Sequence, residues 1–172
     1  MDKLTELAIK YKTDKWGKHA YTPYYYEMFK NRRKSVKKVL EIGVGEGAGL
    51  RMWRDFFPNA IIYGADNQAD RVFIDPPIQV FRCDQSREKD LVNLIEKTGT
   101  DIDLVVDDGS HKPSDQIFTC MVLMPLLRKD TTYVVEDVAE LAVVGFLSEK
   151  YVTNTIQCSN RYDDRLVVVK HK

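Results

Sequence analysis

The sequence predicts an α/β fold, a doubly wound and mostly parallel sheet of seven strands that ends in an antiparallel hairpin. Three features carry that expectation. From Lys38 onward, short apolar runs alternate with stretches of helical spacing, five times over. The first of these units, KVLEIGVGEGAGLRMWR (38–54), passes from an apolar strand through alternating glycines into a helix. The last segment holds two strands joined by a polar turn, with no helix between them.

Ahead of that core, Leu4, Leu7, Ala8 and Tyr11 recur at helical spacing over residues 2–12. A polar and aromatic stretch follows, TDKWGKHAYTPYYYEMF (13–29). Thr22 and Pro23 mark a helix start, because proline fits the first turn, and that helix is expected to run to about Arg33. The strand–helix units then read as strand 38–43 and helix 48–57; strand 61–66; strand 79–84 and helix 87–97, capped by Ser86; strand 103–108 and helix 114–128, distorted at Pro125; and strand 132–137 with helix 138–149. Residues 151–158 and 165–170 form the hairpin around the turn SNRYDD. The chain is expected to be one domain over 1–172, with 1–36 a helical, aromatic lid segment on a Rossmann-like core of 37–172.

Composition narrows the class. With 44% hydrophobic and 30% charged residues, the 172-residue chain resembles a soluble globular protein. Its formal net charge is zero, so no global field favours nucleic acid. The basic cluster Lys30, Arg32, Arg33, Lys34, Lys37 and Lys38 fits a solvated helix end. No apolar run is long enough to span a bilayer, and no signal peptide is visible. Cys83, Cys120 and Cys158 lack metal-ligand spacing and fit free thiols in a reducing, cytoplasmic compartment.

Sheets of this kind bind ligands at the carboxyl ends of their strands, where strand order reverses. Here a file of acids stands at those ends: Glu41, Asp66, Asp84, Asp107 with Asp108, and Glu136 with Asp137. Such a file suits a polar ligand together with a cation. Gly43, Gly45 and Gly47 bring the backbone close to a ligand at the helix N-terminus. The glycine turn has two readings. As G-x-G-x-x-A it approximates a dinucleotide fingerprint, with Asp66 21 residues past Gly45 as the ribose acid. As E-x-G-x-G-x-G, from Glu41, it is the S-adenosylmethionine pattern. An NAD-dependent oxidoreductase usually needs a further substrate domain, and the terminal antiparallel hairpin is the ending of class I methyltransferases.

The stretches KTDKWGKHAYTPYY, LEIGVGEG, LRMWRDFFPNAIIYGAD, CDQS, VVDDGSH and YVVED cover most of residues 12–137. Through them the chain resembles the sugar O-methyltransferases of the macrocin and mycinamicin type and those acting on tetracenomycin rhamnose. The resemblance implies a class I methyltransferase fold and transfer of a methyl group from S-adenosylmethionine to a sugar hydroxyl, on a glycoside, glycan or nucleotide sugar. It places Glu41, Gly43 and Gly45 at the cofactor's amino-acid end, Asp66 and Asn67 at its ribose, and Asp84 and Gln85 at its adenine. It makes His111 the general base and Asp108, Glu136 and Asp137 the ligands of a Mg²⁺ ion, Asp108 serving both catalysis and metal. Asp107 is expected to orient its loop or meet the cofactor. Lys15, Trp16, His19 and Tyr21 are expected to form an acceptor lid.

The chain departs from that pattern in two places. The resembling enzymes carry more chain, both ahead of the core and as an insert after the fifth strand, and a Pro-Gly-Gly turn where this sequence has Arg128-Lys-Asp-Thr-Thr. A more open acceptor pocket is expected, closed by a second subunit in a homo-oligomer or serving a sugar on a larger glycan. The remaining alternative is a non-catalytic S-adenosylmethionine-binding domain of a larger assembly.

Overall fold

In the computed structural model, which describes residues 1–172, the strands form one eight-stranded sheet. Its strands are β1 (Lys38–Ile42), β2 (Ile61–Asp66), β3 (Ile74–Asp75), β4 (Ile78–Arg82), β5 (Leu104–Asp107), β6 (Thr132–Val135), β7 (Val152–Gln157) and β8 (Arg165–Lys170). The spatial order is β3-β4-β2-β1-β5-β6-β8-β7. Strands β4, β2, β1, β5 and β6 run parallel, and β8 is inserted antiparallel between β6 and β7. The eighth strand, absent from the sequence expectation, is the two-residue β3, paired antiparallel on the β4 edge. Both of its residues are exposed, so it carries no apolar signal.

Six helices cover the two faces: α1 (Lys3–Tyr11), α2 (Thr22–Phe29), α3 (Ala48–Phe56), α4 (Glu88–Thr98), α5 (Pro113–Leu123) and α6 (Leu141–Lys150). Alternation along the strands sorts side chains between these faces. Val39, Val106 and Val134 pack with Leu4, Leu7, Tyr25, Phe29, Trp53 and Phe56 from α1–α3. Leu40, Ile42, Val105 and Val135 pack with Leu91, Leu94, Cys120, Leu123, Val143 and Leu147 from α4–α6.

Local chemistry sets the helix ends. The Asp2 carboxylate accepts from the Thr5 amide at 2.9 Å and starts α1. Helix α2 stops at Phe29 instead of about Arg33, because the following residues turn and the Ser35 and Val36 amides bond back to the Arg32 carbonyl. Ser86 does not cap α4: the cap position is Arg87, and the Ser86 hydroxyl donates to Asp84 at 2.6 Å. Pro125 ends α5 in a single 3₁₀ turn, Met124–Leu126, as its missing donor requires. No helix is long and apolar enough to cross a membrane. All three cysteines are free, with Cys83 and Cys120 buried.

Candidate active site

Strand order reverses between β1 and β5, and the acids gather at the carboxyl ends around that point. The two-residue pleat decides which acids meet. Glu41 pairs across from Val106 and shares its face, the one covered by α1–α3. Asp107 pairs with Ile42 and Val135 and points to the opposite face. Asp108 and Glu136, one residue past the ends of β5 and β6, return to the Glu41 side.

The turn after β1 is compact. Gly43, Gly45 and Gly47 all have positive φ, of 85°, 51° and 77°. A Cβ on Gly43 would lie 2.0 Å from the Asp108 carbonyl oxygen, so the turn can abut the β5 loop only with glycine there. A Cβ on Gly45 would meet nothing within 4 Å, which leaves that side open to a ligand. Two clefts flank this turn and share Gly43, Asp66 and Gly109 in their walls. One, about 520 Å³, runs between Asp66, Asn67, Asp84, Gln85 and Ser110. The other, about 440 Å³, runs from Lys15 and Glu41 past Gly45 to Asp108 and His111.

The carboxylates facing these clefts differ in how far protein groups already occupy them. Asp66 accepts from the Val44 amide at 2.9 Å and the Gln68 amide at 3.0 Å, fixing the glycine turn to β2. Asp84 accepts from the Ser86 amide and hydroxyl, and these bonds hold its carboxyl below the usual range. The Gln85 side chain is spent inside the protein: its amide donates to Asp107 at 3.1 Å and Thr119 at 3.0 Å, and its carbonyl accepts from the Ser110 amide at 2.7 Å. It thereby ties the β4 and β5 loops together. Asp107 is buried and also accepts from the Tyr133 hydroxyl at 3.0 Å, while burial pushes its carboxyl up to about 7.

On the other face stands the group with the shape of a catalytic centre. Ligand atoms of Asp108, His111 and Asp137 all lie within 4.8 Å of one another. His111 Nε2 is 3.1 Å from Asp108 Oδ1, and its Nδ1 is 3.4 Å from Asp137 Oδ2. Both His111 and Asp137 have positive φ, 58° and 53°, an uncommon conformation for side-chain-bearing residues that turns their groups toward each other. The hydrogen bond to Asp108 raises the His111 pKa above its ordinary value. Burial works to raise the Asp108 carboxyl, but Lys15 and His111 outweigh it and hold it well below the usual carboxylate range.

Glu136 lies outside that trio. Its Oε2 is 2.6 Å from Lys15 Nζ, and its Oε1 accepts from the Tyr25 hydroxyl at 2.7 Å. Lys15 is buried and reaches Asp108 at 2.8 Å and Glu41 at 3.4 Å as well. Burial disfavours its charge, yet the three carboxylates overcome that and keep it an ammonium. Glu41 is buried too, with the Trp53 indole donating to it.

The aromatic segment thus points inward. The Tyr21 hydroxyl donates to Asp137 and accepts from the Asp137 amide at 3.2 Å. His19 stacks on Tyr21 at 4.8 Å, and its Nδ1 is 3.1 Å from Asp164 and 3.4 Å from Asp137. Lys15, His19 and Tyr21 therefore contact acids at the strand ends, and of the four lid residues only Trp16, 37% exposed, keeps its ring at the surface. Sequence reasoning missed Asp164, Tyr25, Trp53 and Tyr133 as partners of the site. Asp164 sits in the polar hairpin turn, where nothing in the sequence distinguishes a fully buried carboxylate from an exposed one.

No family model matches the chain. It is 36% identical over 141 residues to 8-demethyl-8-alpha-L-rhamnosyl tetracenomycin-C 2'-O-methyltransferase of Streptomyces olivaceus, an alignment covering 78% of this chain and 37% of that protein. It is 37% identical over 152 residues to mycinamicin VI 2''-O-methyltransferase of Micromonospora griseorubida, covering 83% and 38%. The chain is a homologue of sugar O-methyltransferases. It spans under two-fifths of the length of these curated relatives. The solved structure of the MycE methyltransferase in complex with Mg and SAH superposes with a TM-score of 0.84 at 27% identity, covering 99% of this chain and 55% of that one. The architecture is therefore the Rossmann-like methyltransferase fold, with its antiparallel terminal hairpin.

Proposed function

We propose that this chain is an S-adenosylmethionine-dependent O-methyltransferase that transfers a methyl group to a sugar hydroxyl with the help of Mg²⁺. The observation that carries the reading is the meeting of Asp108, His111 and Asp137 beside the glycine turn, in a homologue of sugar O-methyltransferases. The residues present fit both groups. A positive-φ turn whose Gly45 faces open space, next to the Asp66 carboxylate, suits an amino-acid and ribose moiety better than bulkier residues would. Two carboxylates converging at one point offer the hard oxygen donors Mg²⁺ prefers.

Glu41, Gly43, Gly45, Asp66 and Asn67 would hold the cofactor, with Asp84 toward the adenine. Gln85 and Asp107 act one step back, holding the β4 and β5 loops in place. Asp108 and Asp137 would hold the ion, and Glu136, now turned to Lys15, would have to leave that lysine to join them. A bound divalent ion supplies Lewis acidity that lowers a hydroxyl's pKa. His111 then takes the hydroxyl proton, a role typically contributing ~10²–10⁴-fold. Asp108 orients the ring and favours its protonated form, so the base strengthens at the cost of being neutral only at higher pH. Trp16 is the aromatic left free to stack on a sugar face. The acceptor is a sugar-bearing molecule, as for the relatives named above.

The reading is tested by transfer of labelled methyl from S-adenosylmethionine to rhamnosides and related glycosides, with and without chelator. Transfer abolished by chelation supports it whole. Transfer that survives complete chelation removes the metal and leaves His111, and S-adenosylmethionine left unbound at any concentration ends it.

A further inference from the structure

The charge at the strand ends is distributed in an unexpected way. Glu41, Asp108 and Glu136 each offer one oxygen to the Lys15 ammonium, at 3.4, 2.8 and 2.6 Å. Each gives its other oxygen to a second donor: the Trp53 indole, the His111 ring and the Tyr25 hydroxyl. Lys15 is 1% exposed, so its charge is not shared with water. It arrives from the segment before α2, outside the sheet, at the point where β1, β5 and β6 end together. An ion held by Asp108 must therefore form beside a cation that already engages that carboxylate and keeps Glu136 turned toward itself.

We propose that Lys15 is a tethered counter-cation that competes with the divalent ion for Asp108 and Glu136, and so sets how tightly the ion is held. This deepens the metal reading above and rests on it. Lys15 is a positioning residue in this account, acting through the two carboxylates. The ammonium offsets one charge of a centre of several buried acids while the ion is away, and the competition makes the ion exchangeable. A purely structural lysine has the opposite signature: if it only steadied Asp108, its loss would loosen the ion.

The experiment is Mn²⁺ binding, followed by calorimetry and by the electron spin resonance signal of free Mn²⁺, on the full chain, Lys15→Met and Lys15→Arg. Lys15→Met, which keeps the bulk and loses the charge, is expected to bind Mn²⁺ about tenfold tighter or more, the scale of removing one unit charge from a buried carboxylate pair. Lys15→Arg, which keeps the charge, is expected to show no tightening. Wild type that binds Mn²⁺, with Lys15→Met equal or weaker, overturns the competition and leaves the metal site standing. Mn²⁺ bound by none of the three proteins removes the metal reading and this inference with it. Should Lys15→Met not fold on its own, added Mn²⁺ is expected to restore its circular dichroism, since the ion takes over the neutralisation; failure to restore it counts against the proposal.

Discussion

Replacing Gly43 with alanine tests the contact that brings the β1 turn and the β5 loop together. A Cβ at this position would sit 2.0 Å from the Asp108 carbonyl oxygen and 2.9 Å from the Gly109 Cα, both backbone atoms that no side-chain rotation can move aside. Its φ of 85° adds the strain of a left-handed residue, about 1–2 kcal/mol. Forcing the two loops apart adds about 1–3 kcal/mol, the usual cost of overpacking. Gly45→Ala is the matched control: its φ is also positive, at 51°, but its Cβ would meet nothing within 4 Å. It should cost the strain alone, about 1–2 kcal/mol. For a chain of this size, about 1 kcal/mol moves the melting temperature by roughly 2–4 °C. Thermal melts followed by circular dichroism should therefore show Gly43→Ala falling by roughly 10 °C and Gly45→Ala by roughly half of that or less. Equal losses in the two variants, or a neutral Gly43→Ala, would refute the close approach of the β1 turn to the β5 loop.

Other consequences follow from single contacts. Tyr25→Phe leaves the buried Glu136 Oε1 without its donor and should cost about 1–3 kcal/mol in urea unfolding; a change within error would mean that Glu136 is solvated. Asp55 feels some burial, which raises its pKa, but Lys10, Tyr11 and Arg54 outweigh it and bring the carboxyl to about 2. Its stabilising effect is therefore present above the unfolded value near 4 and fades as pH falls toward 2. Asp55→Asn should cost about 1 kcal/mol at pH 7, after allowance for screening, and converge with wild type near pH 2; a gap that persists there would remove the ionic explanation. His111→Ala should lower methyl transfer by about 10²–10⁴-fold with the fold intact, and wild-type rates should rise with pH as the imidazole loses its proton. A flat profile between pH 5 and 9 would argue against His111 as the base.

How far the sequence goes depends on which interaction sets each feature. The parallel strands were legible because Val39–Ile42, Ile62–Ala65 and Leu104–Val106 are buried on both faces, which requires continuous apolar runs. The acids at the strand ends were legible for the same reason, since a strand's end fixes the rim on which the next residue sits. The face each acid takes was not: it follows from the register that sets Glu41 opposite Val106 and Asp107 opposite Ile42 and Val135. Lys15 and Glu136 are 121 positions apart, and a lysine in a polar stretch carries no mark of burial. Tyr21 and His19 meet Asp137, and His19 meets Asp164, through contacts of the same long-range kind. Trp53 packs in the core, and its indole N–H also satisfies Glu41, a second role that helical spacing does not show. Strand β3, two exposed residues long, lies below any periodic signal.

The account stands on a cofactor seated at the Gly43–Gly45 turn with its ribose on Asp66. Calorimetric titration with S-adenosylhomocysteine measures that directly, run on wild type and on Asp66→Ala with NAD⁺ as the competing ligand. The expected result is one S-adenosylhomocysteine per chain, markedly weakened binding in Asp66→Ala, and no heat from NAD⁺. Wild type that ignores S-adenosylhomocysteine, or an Asp66→Ala chain that binds it as tightly as wild type, would contradict the placement from which the rest follows.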